Sequence, residues 1–172
     1  MAASALGGDI RRDVLRELLT DLGVDASRAI AAMKRAQLLL LSGTERLRWT
    51  HALLQEYLLQ RLGEQPDAAQ VFRAAAQALG GHPAANSGRI VRHRVTNLLR
   101  AGDLAQAATL LHGHVAMAWG QVRDAVATLR DLQLLDGMLE GIPLAHHLRW
   151  RAEACRHSGA LEEARRQAEM AR

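Results

Sequence analysis

Three observations predict a mainly α fold carrying one small β-wing near the N-terminus. The hydrophobic residues, 49% of the chain, include few aromatics (3%) and are mostly Leu, Ala, Val and Met, the mix that packs helix on helix. Apolar positions recur at three- and four-residue spacing through most of the sequence. The exception is residues 38–49, where a flat apolar run, a turn and an alternating strand follow one another. With 172 residues, there is enough chain for a real core in one domain or two small ones. Only three Pro interrupt it, and one Cys excludes an internal disulfide, which fits a reducing, cytoplasmic setting. The formal charge is +4, Lys34 is the only lysine, and the arginines alternate with Asp and Glu, so the surface is mixed-sign. No export signal opens the chain and no run approaches the roughly 18 apolar residues of a membrane helix, so no membrane association is expected.

Residues 1–8 are small and Gly-containing, the composition of a flexible leader. Asp9 is placed to cap a helix over about residues 10–22, where Ile10, Val14, Leu18 and Leu22 share one face, and Gly23 ends it. Asp25 or Ser27 caps a second helix to about residue 37, with Ile30, Met33 and Ala36 inward. Leu38 to Leu41 then form the apolar run, Ser42, Gly43, Thr44 and Glu45 the turn, and Arg46, Leu47, Arg48 and Trp49 the strand. Two helices followed by a hairpin is the winged-helix pattern, expected over residues 9–63. A helix over about residues 51–62 carries Leu54, Leu58 and Leu62 on one stripe beside Tyr57, opened by Thr50 and His51. Residues 64–103 read as a linking region of helical hairpins, with helices over about 67–79 and 89–100 and a Gly80, Gly81, His82, Pro83 break between them.

An internal repeat follows in residues 104–172. Gly113, Gly120, Val122, Ala125, Leu129 and Leu132 are matched by Ala152, Gly159, Leu161, Ala164, Ala168 and Ala171, each 39 positions later, as from Gly120 to Gly159. Small residues facing an Ala let two helices approach closely, and the Gly between them makes the turn. Gly102, Asp103, Leu104 and Ala107 repeat the turn half of the pattern, and residues 136–143 lengthen one connection. The expected architecture is an α-solenoid of helical hairpins, with an array that is incomplete at its end.

Gly113, Gly120 and Ala125, then Ala152, Gly159 and Ala164, occupy the small-residue and turn positions of the tetratricopeptide family, which this part of the chain resembles. It departs from that family in the 39-residue offset, in lacking a large aromatic at the start of each unit, and in lacking a closing Pro. The stretch Trp49, Thr50, His51, Ala52, Leu53, Leu54, Gln55, Glu56, Tyr57, Leu58 resembles the winged-helix arm of the signal-transduction ATPases, the group that includes nucleotide-binding immune receptors and large bacterial transcription regulators. That resemblance implies that His51 sits where the arm meets a nucleotide-binding domain and senses the bound diphosphate. Ala52 stands where many members carry Asp. No Gly-rich loop ending in Lys-Ser or Lys-Thr occurs, so ATP or ADP would be bound only by a nucleotide-binding domain outside this sequence, and the chain is expected to be a fragment or a short relative that kept the arm.

His51 can equally be an exposed or cap-forming residue at a helix start. His112 and His114 point about 200° apart around a helix, and His146 and His147 about 100° apart, so neither pair converges as metal ligands do, and no metal or other cofactor is expected in this chain. Cys155 falls at an inner repeat position as ordinary packing. No nucleophile elbow occurs, and no enzymatic role is expected. The expected function is a non-enzymatic, protein-interacting regulatory segment. Its helical repeats would bind a partner or effector, with His112, Gln121, Arg149 and Arg156 as candidate contacts, and would shift a latch between the winged domain and a nucleotide-binding domain of the same polypeptide. The alternative is a DNA-binding transcription regulator, using Arg28, Lys34 and Arg35 with wing residues Arg46 and Arg48, and Arg89, Arg92, Arg94 and Arg100 as a second basic helix. Against it, the second helix is Ala-rich and poor in groups that read base edges. Apolar surface at residues 38–41 predicts self-association of the isolated chain.

Overall fold

The N-terminal residues, expected as a loose leader, are instead part of the core. In the computed structural model, which describes every residue but Thr44, Arg123 and Arg172 and leaves the side chain of Asp9 undescribed, Ala2–Leu6 form a 3-10 turn with Ala3, Ser4, Ala5 and Leu6 buried. Small side chains let this backbone lie close to its neighbours, and its carbonyls then take hydrogen bonds from far along the chain. The Trp49 indole donates to Gly7 O (3.1 Å), Asn97 Nδ2 to Ala5 O (2.9 Å) and Gln55 Nε2 to Ser4 O (3.3 Å). A leader read as flexible from its composition is ordered because other segments satisfy its polar groups.

The chain divides into two units, Met1–Gly102 and Asp103–Arg172. In the first, strand β1 (Asp9–Arg11) pairs antiparallel with β3 (Arg46–Trp49), which pairs antiparallel with β2 (Leu39–Ser42), giving the order β1-β3-β2. Ile10 lies opposite Leu47, and Leu39 opposite Trp49, and all four are buried. Ile10, expected on the first helix, is therefore a strand residue, and Asp9 does not precede the helix start. Pairing with β3 outweighs the four-residue periodicity that runs through Ile10. Helix α1 spans Arg12–Asp21, with Val14, Leu15, Leu18 and Leu19 buried. It closes at Gly23, whose φ of 71° lets its amide reach Thr20 O while the Val24 amide reaches Leu19 O. Helix α2 spans Ala26–Arg35, capped by the Asp25 carboxylate accepting from the Arg28 amide at 3.0 Å. Of its expected inward residues, Ile30 is buried, Met33 packs against the core, and Ala36 is exposed just past its end. Its exit makes the same closing bonds with Gln37 in the glycine position (φ 55°).

Thr50 does not cap the next helix. Its hydroxyl lies 2.6 Å from Gln37 O and 2.9 Å from Leu38 O, tying the end of β3 to the exit of α2. Helix α3 (Ala52–Gly63) buries Leu62 and half-buries Leu54 and Leu58, leaving Leu53 and Tyr57 exposed. Helices α4 (Ala68–Ala78) and α5 (Gly88–Arg100) complete the unit, α5 capped by Ser87. Phe72, Ala75 and Ala78 of α4 join Leu15, Leu18, Leu39 and Leu47 in one core, where each fully buried Leu contributes about 2 kcal/mol. The exposed run is confined to β2, where Leu40 and Leu41 are 41% and 51% exposed.

The second unit contains helices α6 (Leu104–Gln121), α7 (Ala125–Leu132), α8 (Gly141–His157) and α9 (Leu161–Met170), with a 3-10 turn at Gln133–Leu135. Gly159, at φ 84°, makes the α8–α9 turn. Its expected counterpart Gly120 does not make a turn, because α6 continues through Gln121 and Asp124 caps α7 on the Ala127 amide. Gly113 is not a close-approach position either, since nothing lies within 4 Å of where its Cβ would be. Tight packing occurs at Ala125 and Ala154, against Trp119. Among the described residues no helix is long and apolar enough to cross a membrane.

Candidate functional site

Two features of the second unit concentrate chemistry, a groove and a buried polar chain. The groove lies between α8 and α9 and encloses about 630 Å3, within the range of roughly 300–1,000 Å3 typical of ligand pockets. Ala152, Leu161, Ala164, Ala168 and Ala171 form its apolar surface, and Arg149, Arg156, Arg165 and Glu153 stand around it. The narrowness of Ala is what opens it, because Ala152, Ala164, Ala168 and Ala171 leave the space between the two helices unfilled. Arg156 donates to both oxygens of Glu153 (2.7 and 2.8 Å), and this bond holds the Glu153 carboxyl below the usual carboxylate range, with burial opposing and His157 assisting. Among the described residues no carboxylate pairs with Arg149 or Arg165.

The polar chain links α6 to α8. His112 Nε2 stands 3.3 Å from His147 Nδ1, and His147 Nε2 stands 3.0 Å from Asp136 Oδ1, while Arg151 donates to Asp136 Oδ2. The carboxylate can only accept, so His147 carries its proton on Nε2 and presents a bare Nδ1, which makes His112 the donor in its neutral form. His147 is 2% exposed and His112 8%. Burial, followed by the neighbouring His147 and His146, pushes His112 down to about 4. Arg151 and His147 hold Asp136 below the usual range against its own burial. No serine or thiol joins the chain: Ser158 donates to Cys155 O, and burial together with Glu163 pushes the buried Cys155 thiol upward, away from nucleophilic use. The arrangement orients the two imidazoles without an atom for them to activate. Among the described residues no three His, Cys, Asp or Glu side chains form a metal-ligand group.

Of the residues singled out from sequence, Arg149 and Arg156 come together at the groove. His112 is buried in the polar chain, and Gln121, at the exposed end of α6, does not line the groove. His51 precedes the first turn of α3, exposed, with extended backbone (φ −138°) and no side-chain cap bond. Of the second basic helix, Arg89 and Arg100 are exposed, while Arg94 donates to Ala76 O and the Arg100 guanidinium lies 5.6 Å from the centre of the Phe72 ring. Sequence reasoning missed Arg165 and the pairing of His112 with His147, which joins residues 35 apart on different helices. A signal existed for the latter: His112 lies in the middle of the apolar stripe Ala108, Val115, Trp119 of α6. Compared with protein-family models, curated proteins and solved structures, the chain matches none.

Proposed function

We propose that this chain is a non-enzymatic regulatory segment that binds a protein partner through the α8–α9 groove. The observation that carries this reading is the groove itself, an apolar floor of Ala and Leu with Arg149 and Arg165 left without carboxylate partners. Such a surface complements an amphipathic helix with acidic flanks: its apolar stripe would cover the Ala floor and its carboxylates would pair with the two arginines. The helical hairpins would then serve as a short tetratricopeptide-like solenoid. The N-terminal unit, with its helix-helix-strand-strand order, would serve as a winged-helix latch, and exposed His51 would face a nucleotide-binding domain as in the signal-transduction ATPases. Occupancy of the groove would bias that latch by differential affinity for its two states.

A photo-cross-linking residue substituted at Ala168, on the groove floor, tests this in the native cells. The reading requires adducts with a peptide segment rich in Asp and Glu, lost in an Arg149→Glu, Arg165→Glu background. Adducts that ignore the charge reversal would contradict it. Exposed Arg28, Lys34 and Arg35 on α2 with Arg46 and Arg48 on β3 support the second reading, a winged-helix DNA binder. Under that reading duplex DNA binds with a steep logarithmic salt dependence, and protein adducts at Ala168 are incidental.

A further inference from the structure

The geometry points to a binding site for a phosphoryl anion in the N-terminal unit, in the pocket lined by Arg11, Arg46, Arg89, His82 and His93. The pocket encloses about 210 Å3 over a small apolar base of Leu6 and Ile90, so it has room for a phosphate-sized group but not for a drug-sized ligand, which takes roughly 300 Å3 or more. Its walls come from parts of the unit that folding alone brings together: β1, β3, the segment after α4, and the start of α5. Of these cations Arg11 is already matched, donating to both oxygens of Asp13 with Glu45 3.7 Å away. Arg89 and the two imidazoles add cationic capacity that no lining carboxylate offsets.

The cost of this crowding is visible in the imidazoles. His82 is held below its usual range by burial and by Arg11 and Arg46, with Asp13 partly opposing, and His93 by burial and by Arg89, Arg92 and Arg100. A dianion among them would offset the neighbouring positive charges and favour the protonated imidazoles, so binding and protonation are linked. The His82 tautomer is suited to the task, because its Nδ1 accepts from the Ala84 amide at 2.9 Å and the neutral ring must therefore carry its proton on Nε2. His82 is a donor whether charged or neutral. Ser87, Arg89 and Ile90 place the first turn of the 13-residue helix α5 on the same wall, adding its amide dipoles to the field. An arginine able to make paired bonds, Arg89, together with the His82 Nε2 donor and the other lining cations, favours a phosphate or phosphate monoester over chloride.

The test is a titration of the full chain followed by the ring signals of His82 and His93, with sodium phosphate, glycerol 3-phosphate, sodium chloride and a short DNA duplex at matched ionic strength. Phosphate or its monoester should raise both imidazole pKa values by roughly one unit or more. Arg89→Gln and Arg46→Gln should each weaken binding roughly tenfold, with unfolding midpoints unchanged for the exposed Arg89. Tighter binding of glycerol 3-phosphate would identify an organic ester as the ligand, and tighter binding of inorganic phosphate the free ion. The inference is overturned if both anions act no better than chloride, if the shifts persist in the two variants, or if only the duplex moves the rings.

Discussion

The two units are held together by different means. In residues 1–102 the ties are non-local: Asn97 bonds to Ala5, Trp49 to Gly7, Ile10 pairs with Leu47, and one apolar core gathers α1, α4 and the sheet. In residues 103–172 each helix packs mainly on the next, and a polar chain of His112, His147, Asp136 and Arg151 bridges α6 and α8. The first arrangement ties stability to apolar burial and to satisfied backbone carbonyls. The second makes it depend on protonation.

Deleting residues 1–6 should have the largest effect. It removes buried Leu6 and leaves the donors of Asn97 and Gln55 without partners, a loss of about 5 kcal/mol or more, comparable to the whole stability of a small domain. Amide hydrogen exchange should show protection lost throughout residues 7–102. Retained protection there would mean that the N-terminal turn is peripheral after all.

The second unit's response to pH should centre on His112. His112 titrates near 4 when folded and near 6.5 when unfolded, so between those values the unfolded state binds more protons. Its contribution is complete above pH 6.5 and is lost progressively as pH falls to 4, a total of about 3 kcal/mol. Denaturant midpoints followed by exchange in α6 and α8 should fall across that window. His112→Gln, which keeps a donor for His147 but does not titrate, should flatten the dependence.

Trp49→Phe is expected to cost about 1–2 kcal/mol in the first unit, because the Gly7 carbonyl loses its buried donor. The smallest effect is a matched pair at helix ends. Gln37→Gly should stabilise the first unit by about 0.5–1 kcal/mol, since Gln37 holds φ 55° without the freedom of glycine, whereas Gly159→Ala should destabilise the second by about 1 kcal/mol. Thermal unfolding of the two variants reads both signs.

What could be read from the sequence was whatever is decided locally. A cap at Asp25 or Ser27, the strand Arg46–Trp49, a helix over about residues 89–100 and the Gly159 turn all follow from neighbours within a few residues. The N-terminal turn was illegible because its order depends on donors at Trp49, Gln55 and Asn97. Ile10 satisfied a helical period and a strand pairing equally well, and only the partner Leu47 decided between them. At the candidate site, Arg149 and Arg156 fall seven residues apart, two turns of α8, so their common face was legible. Arg165 was not, since it reaches the groove from α9. Spacing around a single helix says nothing of a bond that joins one histidine of each pair across two helices, as His112 and His147 do.

The most direct measurement is a comparison of two designed helical peptides, each about 18 residues long with the same Leu stripe, one flanked by Glu and the other by Lys. Their affinities for the full chain and for an Arg149→Glu, Arg165→Glu variant would be read by fluorescence anisotropy. A protein-binding groove between α8 and α9 requires the Glu peptide to bind the natural chain and the Lys peptide to bind the variant. Equal binding of both peptides to both proteins, or none at all, would contradict it.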